Sequence, residues 1–248
     1  MSGVTAKVLY CSATGEEEVA DWEGALADRI VEGLPVRVPP SYRGQRNRPG
    51  LFWVATDRRM HVYESLLELE RLWVADFDPS VVALAAQPFQ VTGEDRGVTR
   101  RHVPDLLLVT ADRRAVVVDV KPAGLVENPR VREQFAWTRR LCREKGWGYE
   151  VFSGASPVVV RNIRFLASGR RPELLPAGLV DEARTVAPGK ATVGAFLRCR
   201  PDRRSSQEWA AALATLLWAH ELEVDMGRRV DDAAPLQVVD SGVSHGGR

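Results

Sequence analysis

Two short segments carry residues whose types and spacing could do chemistry: Val103-Pro104-Asp105-Leu106 and Val118-Asp119-Val120-Lys121. Two carboxylates and a lysine, brought together on paired strands, can hold a divalent cation against a phosphodiester. Carboxylate oxygens suit Mg²⁺, which keeps several of its waters. Such a cation polarises a phosphoryl oxygen and acidifies a bound water. Asp105 and Asp119 are the expected ligands, and the Val120 carbonyl could add a further oxygen. Lys121 would orient the water or offset charge in the transition state. A third acid is expected from a helix near the sheet, with Glu64, Glu68 and Glu70 as candidates; Glu64 and Glu68 lie one turn apart, with Arg71 close by. The plain alternatives are a structural ion pair at a strand end for Asp119 and Lys121, and a solvated Glu/Arg face for the helical acids.

These side chains need elements to position them. Leu106–Thr110 and Ala115–Val120 are β-prone runs joined by the polar turn Ala111–Arg114, which predicts a hairpin. Alternation puts Asp119 and Lys121 on one face and Val116, Val118 and Val120 on the other. Ala115 and Val117 share the face of Asp119 and are apolar, so both faces are buried and the strand is central. A buried Asp and Lys are costly unless paired or bound to a metal. Asp105 shares the face of Asp119 if the two are opposite; a slip by one residue would swap faces. Asn128-Pro129 starts a helix that carries Val131, Phe135, Thr138 and Cys142 toward the core. Gly146 stops it, and Tyr149–Phe152 is a returning strand.

Upstream, Tyr63–Phe77 reads as a helix with a stripe of Leu66, Leu69 and Trp73, widened by Leu67 and Val74 and ended by Asp78-Pro79. Val81–Ala86 and Phe89–Val91 are short strands or turns. Glu17–Glu32 reads as a short amphipathic helix on Val19, Trp22, Leu26 and Ile30. Pro35, Pro39 and Pro40 stop regular structure, and Arg43–Gly50 is a basic loop. Past Gly154 come Val158–Val160, then helices over Arg171–Arg184, Thr192–Cys199 and Ser205–Trp218, the last with an apolar stripe of Trp209, Leu213, Leu216 and Leu217. A strand pair in Leu222–Met226 and Leu236–Val239 would complete a winged-helix module. The expected division is an N-terminal extension over 1–50, a catalytic core over 51–155, a winged-helix-like domain over 156–240 and a frayed Gly/Ser-rich tail over 241–248.

At 248 residues and 45% hydrophobic content the chain can bury a sizeable core. No apolar run approaches the roughly 20 residues needed to span a bilayer, and Val8–Cys11 followed by Glu16–Glu18 lacks the pattern of a secretory signal. Cys11, Cys142 and Cys199 are scattered, so neither a zinc site nor a disulfide framework is expected and a reducing cytosol fits. The net charge of +1 hides an asymmetry: from Arg96 to Lys145 twelve Lys/Arg stand against six Asp/Glu, whereas Trp53–Asp95 is acidic. A basic region beside a carboxylate cluster suits a site that holds a metal and a nucleic-acid backbone, though an arginine-rich solvated surface would look the same. Arg100, Arg101 and Arg130 are candidate DNA contacts. Arg203 and Arg204, beside Arg198 and Arg200, flank a helix start that could hold a phosphate, with a solvated loop as the alternative. His61 and His102 show no metal spacing.

Four separated motifs occur in order: Ser65-Leu66-Leu67-Glu68, Gln87-Pro88-Phe89, Pro104-Asp105-Leu106 and Asp119-Val120-Lys121-Pro122-Ala123. With Gly146–Val151, they resemble TnsA-like endonuclease subunits of heteromeric transposases, nucleases of the PD-(D/E)xK type. The likeness runs from about Arg43 to Gly154 and more weakly to Val239. It implies an α/β restriction-endonuclease-like fold, a mixed central sheet flanked by helices, and selects Glu68 as the helical ligand. At position 119 the best-known family member carries Gln, so Asp119 here adds a possible ligand. The resemblance further implies Mg²⁺ (with Mn²⁺ substituting), nicking at the 5′ ends of a transposon, and a DDE-type transposase partner that cuts the 3′ ends. An AAA+ ATPase regulator and a bacterial, cytoplasmic, nucleoid-associated setting are implied as well, with no membrane role. A stand-alone restriction or repair nuclease would carry the same triad and differ by cutting without a partner. A non-catalytic DNA-binding assembly module would usually have lost one of Glu68, Asp105, Asp119 and Lys121.

Overall fold

Val8 and Tyr10 are buried while their neighbours are not, and this period of two opens the chain on a hairpin. The computed structural model describes residues 6–38 and 48–239, in two compact units, Met1–Ala155 and Ser156–Arg248. The tail over 241–248 and most of the basic loop lie outside the described residues. In the first unit β1 (Ala6–Cys11) pairs antiparallel with β2 (Glu17–Asp21). The helix expected over Glu17–Glu32 is therefore corrected to a strand, a turn at Glu23-Gly24 and the short α1 (Ala27–Glu32). Val19 is exposed, and Trp22 and Ile30 are buried from separate elements, so their helical spacing is coincidental. This N-terminal hairpin is built into the unit, because β1 also pairs with a later strand.

A second hairpin, β3 (Gly50–Val54) and β4 (Arg59–Tyr63), leads to α2 (Leu66–Phe77). The buried face of α2 is Glu68, Arg71, Leu72, Ala75 and Asp76, and Leu66 is exposed, so the predicted Leu66/Leu69/Trp73 stripe is corrected by a rotation. Three charged residues lie inside because each has partners. Asp76 accepts from the N–H groups of Ala55 and Thr56 at 2.7 and 2.9 Å, and Arg71 grips Glu150 with bonds of 3.0 and 2.8 Å. β5 (Val81–Ala86), β6 (Gln90–Asp95), β7 (Val98–His102), β8 (Leu106–Thr110) and β9 (Ala115–Val120) follow. Then α3 (Ala123–Val126) and α4 (Pro129–Lys145) cross over to β10 (Gly148–Phe152).

The strands form two four-stranded sheets, β2-β1-β6-β7 and β10-β9-β8-β5. In the second, β8 and β9 are the expected hairpin, β5 joins β8 antiparallel, and β10 lies parallel to β9 after the helical crossover. Its two faces feed separate cores. Leu107, Val109, Ala115 and Val117 meet Trp137, Leu141 and Cys142 of α4. Leu106, Leu108 and Val118 meet Leu72 and Ala75 of α2. The β9 strand is thus interior, as its doubly apolar pattern requires. Gly146 ends α4 at φ +77, the left-handed conformation that glycine adopts without strain.

The second unit is mostly helical: α5 (Pro157–Phe165), α6 (Leu179–Val186), α7 (Val193–Arg198) and α8 (Ser206–Trp218), then the short antiparallel pair β11 (Leu222–Glu223) and β12 (Gln237–Val238). Val158–Val160 belong to α5, and the helix expected from Arg171 begins only at Leu179, because Pro172, Pro176 and Gly178 precede it. Trp209, Leu213, Leu216 and Leu217 are buried as expected, and Trp209 stacks on Phe196 with centroids 5.0 Å apart. Among the described residues no helix is long and apolar enough to cross a membrane.

Candidate active site

Asp105 occupies the bend just before β8. Its N–H donates to the Val118 carbonyl at 3.1 Å and its own carbonyl accepts from the Gln87 N–H at 2.9 Å. Its Oδ2 accepts from the Val120 N–H at 2.6 Å. The pairings Ala86↔Leu106 and Leu106↔Val118 place Gln87, Asp105 and Asp119 in the next row across three neighbouring strands. Burial, and then the charge of Glu68, push the Asp105 carboxyl up to about 8, against the Val120 N–H and with further pressure from Asp119 and Glu64. The helical and sheet acids therefore share one electrostatic site.

Of the three helical candidates, only Glu68 fits that site. Glu70 accepts from the Ala155 N–H at 2.8 Å, and Glu64 pairs with Arg37. Glu68 is buried, which raises its carboxyl. Its position follows from local sequence: Ser65 caps α2 by accepting the Glu68 N–H at 3.2 Å. The Glu68 carboxylate returns to the Ser65 hydroxyl at 2.9 Å and the Glu64 N–H at 2.8 Å. The Ser-x-x-Glu spacing is thus a helix cap that also aims an acid. Ser65→Ala is expected to lower stability by about 1 kcal/mol and to slow any reaction at the site several-fold, read by denaturant titration beside a rate assay. An unchanged rate would separate the cap from the chemistry.

Asp119 is 1% exposed. His102 of β7 meets both of its oxygens through Nε2, at 2.8 and 3.0 Å, and the Tyr149 hydroxyl donates to Oδ2. Burial and the Asp119 charge raise the Tyr149 hydroxyl, which keeps its proton. His102 and Tyr149 are site residues that the sequence reading missed. The available signal was Arg96-Gly97: both take positive φ in the two-residue turn that creates β7, where Arg100 and His102 share a face. Lys121 follows β9, with its N–H on the Phe152 carbonyl at 2.9 Å. The residue is half-buried, and among the described residues its ammonium forms no ion pair.

Among the described residues no three His, Cys, Asp or Glu side chains form a group that would hold a metal alone. The bonds above explain this, since Glu68 and Asp119 are each turned onto protein donors. A carboxylate has about four lone-pair sites, so those bonds do not exhaust it. Mg²⁺ needs only one or two carboxylates when waters complete its shell. Mutually repelling carboxylates, one of them Asp105 held far above its ordinary range, are a donor set that fits such a cation.

The basic residues divide. Arg101 and Arg130 are exposed and form no ion pair among the described residues. Arg100 is bound at 2.7 Å to Asp95 and at 3.2 Å to Glu133, so its charge is internally matched. Arg203 and Arg204 both pair with Glu182, Arg204 at 3.0 Å. The α8 start they flank is closed by a Ser205–Glu208 capping box, which puts a carboxylate where a phosphate was expected.

Residues 78–154 match the family model described as TnsA-like endonuclease N terminal. Over this segment the chain is similar to that family. The matched segment spans β5 to β10 and contains Gln87, Asp105, Asp119 and Lys121, while Glu68 lies just before it. No curated protein matches the chain.

Proposed function

We propose that the chain is a Mg²⁺-dependent DNA endonuclease subunit of a heteromeric transposase, hydrolysing phosphodiesters at the 5′ ends of a transposon. The observation that carries this reading is Asp105: pinned by the Val120 N–H, pushed up by burial and then by Glu68 and Asp119, and set inside a segment similar to TnsA-like endonucleases. Glu68 and Asp105 would hold the cation, with Asp119 and the Val120 carbonyl as further oxygens and Mn²⁺ as a substitute. When bound, the cation supplies charge neutralisation and an acidified water. Glu68 is aimed by the α2 cap. Asp119 is held in orientation by His102 and Tyr149, behind Asp105. Lys121 places a positive charge beside the acids, where it orients the attacking water and offsets charge on the phosphoryl oxygens. Arg101 and Arg130 serve as backbone contacts, which raise affinity without reading sequence.

The helical second unit, with its closing strand pair, is read as a winged-helix-like module. The same reading supplies a DDE-type transposase for the 3′ ends and an AAA+ ATPase regulator as partners. The test is cleavage of labelled transposon-end DNA with Mg²⁺, by the chain alone and with the co-encoded transposase. Partner-dependent 5′-end nicking is the expected result. Cutting without a partner would replace the transposase role by a stand-alone nuclease, and DNA binding without cutting under either condition would replace catalysis by assembly.

A further inference from the structure

Gln87 is unexplained by the fold. It is 1% exposed, and neither its Nε2 nor its Oε1 has a hydrogen-bond partner among the described residues. It also takes φ +48, a left-handed conformation uncommon for a side chain of this kind. A buried amide without partners and a strained backbone both oppose stability. Such features persist where a site needs them, and this one lies in the Gln87-Pro88-Phe89 motif that the acids and the lysine leave without a role.

Its neighbours indicate the need. The Gln87 N–H is bonded to the Asp105 carbonyl, and the Gln87 carbonyl accepts from the Val36 N–H at 2.9 Å. The backbone is thereby fixed on two sides, with the side chain in the same row as Asp105. Asp105 itself is held through Oδ2 alone; its Oδ1 accepts no hydrogen bond among the described residues. A carboxylate with a single anchor can pivot about its last torsion. An amide donor in the adjacent row would stop the pivot.

We propose that Gln87 is a positioning residue: when a divalent cation draws the Asp105 carboxylate into place, the unpartnered Gln87 carboxamide donates to that carboxylate and fixes its orientation. The inference rests on the nuclease reading. The strained Gln87 backbone keeps an amide out of water in the row of Asp105, where an apolar side chain would pack with less conflict. Outer partners that orient a ligand typically change metal affinity or activity by about 10–100-fold.

The experiment uses the full chain and Mn²⁺ as the probe. Gln87→Met keeps length and removes the amide, while Gln87→Asn keeps an amide and tolerates positive φ. Expected for Gln87→Met are a melting temperature at or above wild type, Mn²⁺ affinity lowered about tenfold or more by calorimetry, and a lower kcat for DNA cleavage at unchanged KM. Gln87→Asn should fall between Gln87→Met and wild type in Mn²⁺ affinity. Wild-type Mn²⁺ affinity in Gln87→Met overturns the inference, as does an Asn variant no better than Met. Unfolding of Gln87→Met overturns it too, because the amide would then be a structural group. A wild-type chain that neither binds Mn²⁺ nor cuts DNA would overturn the nuclease reading with it, whereas a fully active wild type matched by Gln87→Met removes this inference alone.

Discussion

Asp105→Asn is expected to remove DNA cleavage, by about 10³-fold or more, and at the same time to make the metal-free chain more stable. The two effects have one cause. Asp105 is forced into a partly buried place beside Glu68 and Asp119, so its carboxyl rises from an ordinary 3.8 to about 8. A raised folded pKa means that the folded chain binds this proton more tightly than the unfolded chain does. The corresponding stability is complete below about pH 4 and is lost as the pH climbs through about 8. Asn carries no charge and still offers an oxygen to the Val120 N–H. The variant should therefore match wild type near pH 4 and exceed it at pH 8 by about 1–3 kcal/mol, or roughly 3–10 °C in melting temperature. Added Mg²⁺ should close that gap by stabilising wild type alone. Thermal melts at several pH values, with and without Mg²⁺, read all of this. A variant less stable than wild type at pH 8 would show that Asp105 is a structural anion and sink the assignment.

The parts of this site that the sequence exposed are those set by local rules. The β8–β9 hairpin follows from two β-prone runs and a polar turn, and the burial of Asp119 from a strand apolar on both faces. Periodicity left Glu64, Glu68 and Glu70 open and the family resemblance selected Glu68, whose spacing of three from Ser65 the structure explains as a cap. Long-range pairing was not visible. His102 reaches Asp119 from a different sheet, and nothing within a few residues of either marks the other. The α2 face was misread for a related reason: Glu68, Arg71 and Asp76 count as solvent-facing by hydropathy until Glu150 and the Ala55 and Thr56 N–H groups are known to meet two of them. The β1–β2 hairpin was hidden because Val19, Trp22, Leu26 and Ile30 happen to fall three or four residues apart. The arginines illustrate the same limit. Arg101 forms no ion pair among the described residues, while Arg100, one residue away, is taken by Asp95 and Glu133.

The Asp119 bonds bear on how the reaction is shared among these residues. In the nuclease reading, an acid whose two oxygens already meet His102 and Tyr149 is a poor candidate for a mobile ligand and a good one for a fixed charge. A fixed charge raises Asp105 and so strengthens the pull on a cation. The essential charge balance then falls between Glu68, Asp105 and the lysine.

Lys121→Met should accordingly lower cleavage by about 10²–10³-fold while leaving fold and cation binding nearly unchanged. The lysine follows an interior strand and is half-buried as a residue, and among the described residues no carboxylate pairs with it. Removing it therefore breaks no ion pair, so stability should change by less than about 0.5 kcal/mol. DNA affinity should weaken only slightly, with the salt dependence of binding reduced by about one phosphate contact at most. Lys121→Arg should not restore the rate, because a planar guanidinium is larger and presents its charge differently from a compact ammonium. The measurement is single-turnover cleavage beside salt-dependent binding for wild type and both variants. A methionine variant that cuts at the wild-type rate would make Lys121 a surface charge and leave Glu68 and Asp105 without the cationic partner that phosphodiester hydrolysis requires of this site. A large loss of binding with an unchanged rate on bound DNA would instead make Lys121 a backbone clamp.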